Sequence, residues 1–212
     1  MPISDRDYMR RSAQPSRGGW KPGGSEWFVQ NPVLVIIVLN IVMYMATTIS
    51  GSLAFNLSLA PALFLERPWT IITNMFVHAG FWHIFGNMLT LFFFGRVLFQ
   101  IVGIKRFLAV YFIGGIAGNA AFILMNMSSF SYAFGASAAV YAIAGALVVL
   151  MPNLRVNMWF IVPMPLWVVV LVFFVILSFV PGVNWQAHIG GLAAGLVAGF
   201  LFRKSGRYYY FR

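Results

Sequence analysis

The chain has 212 residues, of which 61% are hydrophobic and 8% charged, and it contains no cysteine. Soluble domains carry about 25% charged residues, so this composition excludes an ordinary soluble domain and indicates a polytopic membrane protein. Without cysteine, a disulfide framework, a thiolate nucleophile and a cysteine-ligated metal site are also excluded. The net charge of +10 comes from the tails and from the ends of apolar runs. That distribution fits membrane orientation and argues against nucleic-acid binding.

Residues 1–31 lie before the first long apolar run. Most of this segment is polar and rich in Gly, Ser and Pro, carries several Arg and Lys residues, and lacks the short apolar core of a signal peptide. We therefore predict a disordered basic cytoplasmic tail. Residues 204–212 are predicted to form a second, short cytoplasmic tail that is basic and aromatic.

Six apolar segments between these tails predict transmembrane helices, because most are close to the ~20 residues that cross a bilayer. They are 32–50, 82–100, 105–127, 136–152, 158–179 and 185–203. The expected fold is therefore an all-α membrane protein with a six-transmembrane-helix bundle over residues 32–203.

The fourth segment is shorter than the others. From Ser137 to Met151 there are 15 residues, which span only about 21 Å at ~1.5 Å per residue. The Ser137 end is therefore expected to begin inside the membrane, after a loop over 128–135 that dips below the headgroups. Non-helical backbone at that depth requires burial in protein or a water-filled cavity, and hydrolysis inside a membrane needs such a cavity.

The Lys and Arg positions predict the orientation of the chain. With the N-terminus in the cytoplasm, six spans place every Lys and Arg except Arg67 on the inner side, which is a strong positive-inside signal. Both termini are therefore expected to be cytoplasmic, with 51–82, 128–135 and 180–184 facing outward. The first of these outer segments is apolar and aromatic. It is either a set of interfacial anchors or a contact surface for a substrate helix.

Acidic residues are nearly absent from the apolar part of the chain. The four that exist are Asp5, Asp7, Glu26 and Glu66, and none lies in a predicted span. This excludes an aspartyl dyad and an HExxH metalloprotease, and it disfavours a carboxylate cation site and a Ser-His-Asp triad. Nucleophilic catalysis would have to use a Ser or Thr with a His that no Asp orients.

Ser137 and His188 are predicted to lie on the same, outer side of the bundle, since each begins a span at that side. Gly191, Gly195 and Gly199 follow His188 at intervals of four residues. Small residues at this spacing let two helix backbones approach closely, as a short serine requires to reach a histidine within ~3 Å. The alternative interpretation of the stripe is helix packing alone.

His83 and Asn87 lie at i and i+4 on one face of the second predicted span. Two donors in this arrangement could stabilise an oxyanion, together with the backbone N–H of Ser137. The alternative is a hydrogen-bonded clamp between helices.

Taken together, the sequence resembles the rhomboid family of intramembrane serine proteases over residues 32–203. The residues that carry the resemblance are H-I-F-G-N at 83–87, G-A-S-A at 135–138, Tyr141, and A-H-I-G-G at 187–191 followed by Gly195. Two positions depart from the family pattern. Trp69 is followed by Thr70 where many members have Trp-Arg, and Ala138 stands where Gly is frequent.

The resemblance implies that Ser137 is the nucleophile and His188 the general base. It also implies an oxyanion hole of His83, Asn87 and the Ser137 amide, with Tyr141 packed on His188 to orient the imidazole. The implied activity is a serine endopeptidase that cuts single-span transmembrane proteins near the outer end of their helix, among membrane lipids and without metal or cofactor. The expected location is the cell membrane of a prokaryote.

Two other functions stay open at this level. A catalytically inactive rhomboid-like protein could bind membrane clients without cutting them. A small channel or transporter could use a three-histidine metal site of His78, His83 and His188, although nothing in the sequence places His78 beside the other two.

Overall fold

The computed structural model describes residues 31–158, 162–176, 178–180 and 182–204. The predicted tails at 1–30 and 205–212 lie outside the described residues. The described residues from Pro32 onward form one compact unit. Its described helices, in chain order, are α1 (Pro32–Ile49), α2 (Gly51–Leu57), α3 (Thr70–Thr73), α4 (Phe81–Thr90), α5 (Arg96–Met125), α6 (Ser137–Leu150), α7 (Leu166–Val169) and α8 (Trp185–Lys204).

Three helical stretches within the described residues are long and apolar enough to cross a membrane. They are Pro32–Ile49, Phe81–Met125 and Trp185–Arg203. The second comprises α4 and α5, joined by a π-helical turn at Leu91–Gly95. It is broken at Gly103, whose φ of 77° and ψ of 172° are not helical. This break lies between the second and third predicted spans.

The prediction of a helix over 158–179 is wrong at its start. Strands β1 (Arg155–Met158) and β2 (Val162–Pro165) form an antiparallel hairpin, with Arg155 opposite Pro165 and Met158 opposite Val162. Helix α7 begins only at Leu166 and continues through a π-helical segment at Val170–Ile176. Proline explains the late start, because it lacks an N–H and disfavours helical backbone in the residue before it. The fold is therefore mostly helical with a short sheet, rather than all-α.

Helix α6 lies at the centre of the packed helices. Eleven of its 14 residues are buried, as expected for a helix that is apolar all round. It packs against α5 and α8. A Cβ atom added at Gly191 would lie 2.2 Å from the Ala138 carbonyl oxygen, and one at Gly195 would lie 2.0 Å from that of Ala142. The stripe on α8 thus brings its backbone against that of α6.

The segment between α1 and α4 supplies its own hydrogen-bond partners. Side chains of Arg67, Trp69 and Thr73 donate to the carbonyls of residues 55–57, at 3.3, 3.1 and 3.0 Å. The Arg67 guanidinium also lies 4.4 Å from the centre of the Phe55 ring. A helix leaves its last carbonyls without intrahelical donors, and these three side chains satisfy the end of α2. The segment is therefore ordered without an arginine directly after Trp69.

Candidate active site

The loop before α6 is held by the segment between α1 and α4. Leu59 and Ala133 exchange backbone hydrogen bonds of 3.0 and 2.8 Å in an isolated antiparallel bridge. Farther along, the Gly135 N–H donates to the Asn74 carbonyl at 2.9 Å. These bonds give the loop partners for its backbone, which buried non-helical structure requires.

Gly135 makes the turn into α6. Its φ of 109° lies in a region that favours glycine. A Cβ atom there would also lie 2.7 Å from two atoms of the His83 ring and 3.6 Å from Asn87 Nδ2. Glycine therefore lets the backbone just before Ser137 pass beside the two side chains predicted for the oxyanion hole.

Ser137 is the first residue of α6, and His188 lies in the first turn of α8. The Ser137 hydroxyl oxygen is 2.8 Å from His188 Nε2. The Tyr141 ring lies against the imidazole, with ring centres 4.1 Å apart and planes inclined by 23°. The structure thus brings these three predicted side chains together.

A fourth side chain, Ser178, completes the cluster and was missed by the sequence reasoning. Its hydroxyl oxygen is 2.9 Å from His188 Nδ1 and 2.8 Å from the Tyr141 hydroxyl. The side chain is fully buried. The sequence motifs predict only ring packing by Tyr141 to orient the imidazole and indicate no hydrogen-bond partner for its second nitrogen. The available signal was a hydroxyl near the end of the fifth predicted span, which the predicted topology places on the same side as His188.

His83 and Asn87 lie one turn apart on α4. The Asn87 amide donates to the His83 carbonyl at 2.9 Å. His83 Nδ1 accepts from the Ala79 N–H at 3.4 Å. A neutral imidazole has one donor and one acceptor nitrogen, so this bond places the His83 proton on Nε2.

His78 lies beside His83 rather than beside His188, with the two ring centres 5.1 Å apart. Its Nε2 accepts from the Ala136 N–H at 3.5 Å. Burial, reinforced by the nearby His83, lowers the pKa of His78 from 6.5 to about 3, although a backbone hydrogen bond at Phe76 opposes the shift. His78 is therefore neutral near pH 7. Among the described residues, no three metal-ligating side chains are grouped to hold an ion.

A cavity of about 600 Å³ contains the site. Ser137, His188, His83 and Asn87 all contribute to its wall. The amide side chains of Asn74, Asn119 and Asn184 add to the polar part of the wall. The arrangement provides a hydroxyl, a neutral base and hydrogen-bond donors around one space, which is the set that acyl transfer requires.

Residues 65–205 match the family model of the Rhomboid domain. This chain belongs to the rhomboid family. The family predicted from the sequence motifs is thus confirmed, and with it an integral membrane protein. Rhomboid membership also supports intramembrane protease activity.

Curated rhomboid relatives come from several kingdoms. The chain is 32% identical over 148 residues to "RHOMBOID-like protein 1" of Arabidopsis thaliana, covering 68% of this chain and 36% of the relative. It is 32% identical over 145 residues to "Putative rhomboid protease YdcA" of Bacillus subtilis, covering 66% of this chain and 71% of the relative. It is 27% identical over 195 residues to "Rhomboid-like protease 3" of Toxoplasma gondii, covering 85% of this chain and 72% of the relative. The chain spans less than half the length of two plant relatives that it matches.

Proposed function

We propose that this rhomboid is a serine endopeptidase that cleaves single-span membrane proteins near the outer end of their transmembrane helix. The observation that carries the proposal is the 2.8 Å contact between Ser137 Oγ and His188 Nε2 at the wall of a cavity. This distance is within the hydrogen-bond reach that a nucleophile and its base require.

The reaction follows from the proposed roles of these two residues. His188 Nε2 takes the hydroxyl proton as Ser137 Oγ bonds to the substrate carbonyl carbon. The tetrahedral intermediate then breaks its C–N bond, and the same proton passes from Nε2 to the leaving amine. Water next gives its proton to Nε2 and attacks the acyl ester. The proton returns to Ser137 as the second product leaves.

The oxyanion would be held by three donors. The bond from Ala79 leaves the Nε2 proton of His83 to donate, and an amide NH₂ carries a second hydrogen beyond the one that Asn87 gives to the His83 carbonyl. Ser137 is the first residue of α6, and a helix leaves its first N–H groups without intrahelical partners. Each such donor contributes about 3–4 kcal/mol to transition-state stabilisation.

The membrane topology forms part of the proposal. Six spans with both termini in the cytoplasm would place every Lys and Arg except Arg67 on the inner side. The active site would then lie toward the outer surface, since Ser137 and His188 both begin helices at that side. A location in a prokaryotic cell membrane stays a prediction, because the relatives include plant, bacterial and parasite proteins.

The test is cleavage of a fluorogenic transmembrane substrate by reconstituted protein. We expect the native chain to cut it, and Ser137→Ala and His188→Ala to fold but fail. A serine-directed fluorophosphonate should label the native chain and not Ser137→Ala. Labelling or cleavage that persists in Ser137→Ala would refute the assignment.

A graded loss is expected at the oxyanion hole. Asn87→Ala should slow turnover by about 100-fold to 1000-fold without abolishing it, because two donors remain. Unchanged turnover would remove Asn87 from this role. Native protein that binds membrane clients but neither cleaves nor reacts would instead support the inactive rhomboid-like alternative.

A further inference from the structure

His188 makes a separate contact through each of its ring nitrogens. Nε2 faces Ser137 Oγ at 2.8 Å, and Nδ1 faces Ser178 Oγ at 2.9 Å. Ser178 is fully buried and lies ten positions before the histidine. A hydroxyl that accepts from the far nitrogen of a base favours the tautomer in which that nitrogen carries the hydrogen.

We infer that Ser178 is a positioning residue that holds His188 in the tautomer needed by a general base. The inference rests on the proposed function of Ser137 and His188. A neutral imidazole has one protonated nitrogen and one acceptor nitrogen. Nε2 can accept the Ser137 proton only if Nδ1 carries the ring hydrogen, and that N–H then requires an acceptor. Ser178 Oγ is placed to be that acceptor.

The stack with Tyr141 does not by itself fix which way round the imidazole ring lies. Ring centres 4.1 Å apart with planes inclined by 23° fix the plane of the imidazole. A half-turn about the Cβ–Cγ bond would keep that plane while exchanging Nδ1 with a carbon atom. The contact with Ser178, like that of Nε2 with Ser137, distinguishes these two orientations, because a ring carbon cannot take the place of the nitrogen in such a hydrogen bond.

Tyr141 also fixes the position of Ser178. The Tyr141 hydroxyl lies 2.8 Å from Ser178 Oγ, and a serine hydroxyl has one hydrogen and two lone pairs. Ser178 can therefore accept from His188 Nδ1 while it also bonds to Tyr141. The same tyrosine thus supports the imidazole through its ring and the serine through its hydroxyl.

During acyl transfer the Nδ1 hydrogen stays where it is. His188 becomes a cation when Nε2 takes the Ser137 proton, and both of its nitrogens then donate. Ser178 continues to accept from Nδ1–H and stays neutral. It supplies orientation and a hydrogen bond, whereas an aspartate in the same position would also supply a negative charge.

The test compares Ser178→Ala with Ser58→Ala in the reconstituted cleavage assay. Ser58 is a matched control because its hydroxyl is also buried but donates only to the Ala54 carbonyl, at 2.7 Å. We expect Ser178→Ala to lower kcat by about tenfold to 100-fold, the effect of one lost hydrogen bond in a buried site, with little change in KM. Ser58→Ala should keep native kcat, and Ser178→Thr should recover most of it.

A spectroscopic readout separates positioning from a general loss of structure. In protein labelled with ¹⁵N-histidine, the native His188 signal should show hydrogen on Nδ1, and Ser178→Ala should move part of the population to Nε2. A Ser178→Ala signal that keeps the native tautomer with native kcat would overturn the inference, whether or not its thermal midpoint changes. If Ser137→Ala still cleaves the substrate, the proposed function is wrong, and the positioning role that rests on it is wrong as well. If Ser137→Ala is inactive while Ser178→Ala equals Ser58→Ala, only the positioning role fails.

Discussion

Replacing Gly191 with alanine should separate the two proposed catalytic groups. A Cβ atom there would lie 2.2 Å from the Ala138 carbonyl oxygen, whereas real Cβ contacts are at least 3.0 Å. Helices α6 and α8 would have to move apart by about 0.8 Å at this point. Gly191 is one turn after His188, and Ala138 is next to Ser137. The same movement would lengthen the 2.8 Å contact between Ser137 and His188 to about 3.6 Å, beyond hydrogen-bond range.

The expected loss of turnover is about 100-fold, because a misplacement of about 1 Å at a reacting group costs this much. Overpacking should also reduce stability by about 1–3 kcal/mol. The assay is cleavage of a transmembrane substrate at a temperature below the thermal midpoint of both proteins. Gly51→Ala is the control, since a Cβ atom at Gly51 would meet nothing within 4 Å. Native turnover in folded Gly191→Ala would refute the idea that this contact sets the distance between the two groups.

Two further predictions concern stability. His78 has its pKa lowered to about 3 in the folded protein, so below pH 6.5 the unfolded chain binds a proton that the folded chain does not. Its contribution to stability is therefore complete above pH 6.5 and is lost as the pH falls, by about 2 kcal/mol at pH 5. The thermal midpoint of the native protein in detergent should therefore fall as the pH is lowered below 6.5, and it should fall less in His78→Gln. An equal pH dependence of the midpoint in the two proteins would contradict the prediction. Asn119 makes two reciprocal amide bonds with Asn74, at 3.1 and 2.8 Å, and donates to the Ile71 carbonyl at 2.8 Å. Asn119→Ala leaves these groups without partners and should destabilise the protein by at least about 2 kcal/mol. Asn126→Ala, which loses one bond to a nearby carbonyl, should have a smaller effect, and the opposite ranking would count against this account.

The membrane class and the rhomboid family could be predicted from the sequence because both depend on local patterns. Long apolar runs, the scarcity of acidic residues and short motifs at 83–87, 135–138 and 187–191 are visible without any tertiary contact. The proximity of Ser137 and His188 also has a sequence basis. Each begins an apolar helix, and the small residues after His188 let the backbones approach. The count of six spans and the orientation of the termini stay predictions.

The start of α7 could not be placed by hydrophobicity alone. Residues 158–179 form a nearly continuous apolar run, which fits a span as well as a buried strand. Pro163 and Pro165 were the available warning, since prolines disfavour helical backbone before them. Pairing between β1 and β2 depends on the two halves of the hairpin meeting, which apolar content does not reveal.

The partner of His188 was missed for a different reason. Ser178 is one hydroxyl within an apolar run, and its role depends on where α8 places the imidazole. Arg67 is a similar case. Its guanidinium satisfies a carbonyl of α2 although Arg67 does not directly follow Trp69, so the motif pattern does not reveal this contact. Both contacts are set by tertiary geometry, which neither spacing nor composition records.

The cluster of Ser137, His188, Ser178 and Tyr141 has a consequence for how such a site can exist beside lipid. With the imidazole neutral, every member is uncharged, so the resting cluster needs no counterion. A buried carboxylate at the position of Ser178 would bring a desolvation cost of several kcal/mol that the protein would have to offset. Hydroxyl dipoles avoid that cost, and a full charge arises only while the proton is on Nε2. Dissolved salt, which screens exposed ions far more than buried dipoles, should have little influence on the geometry of this cluster.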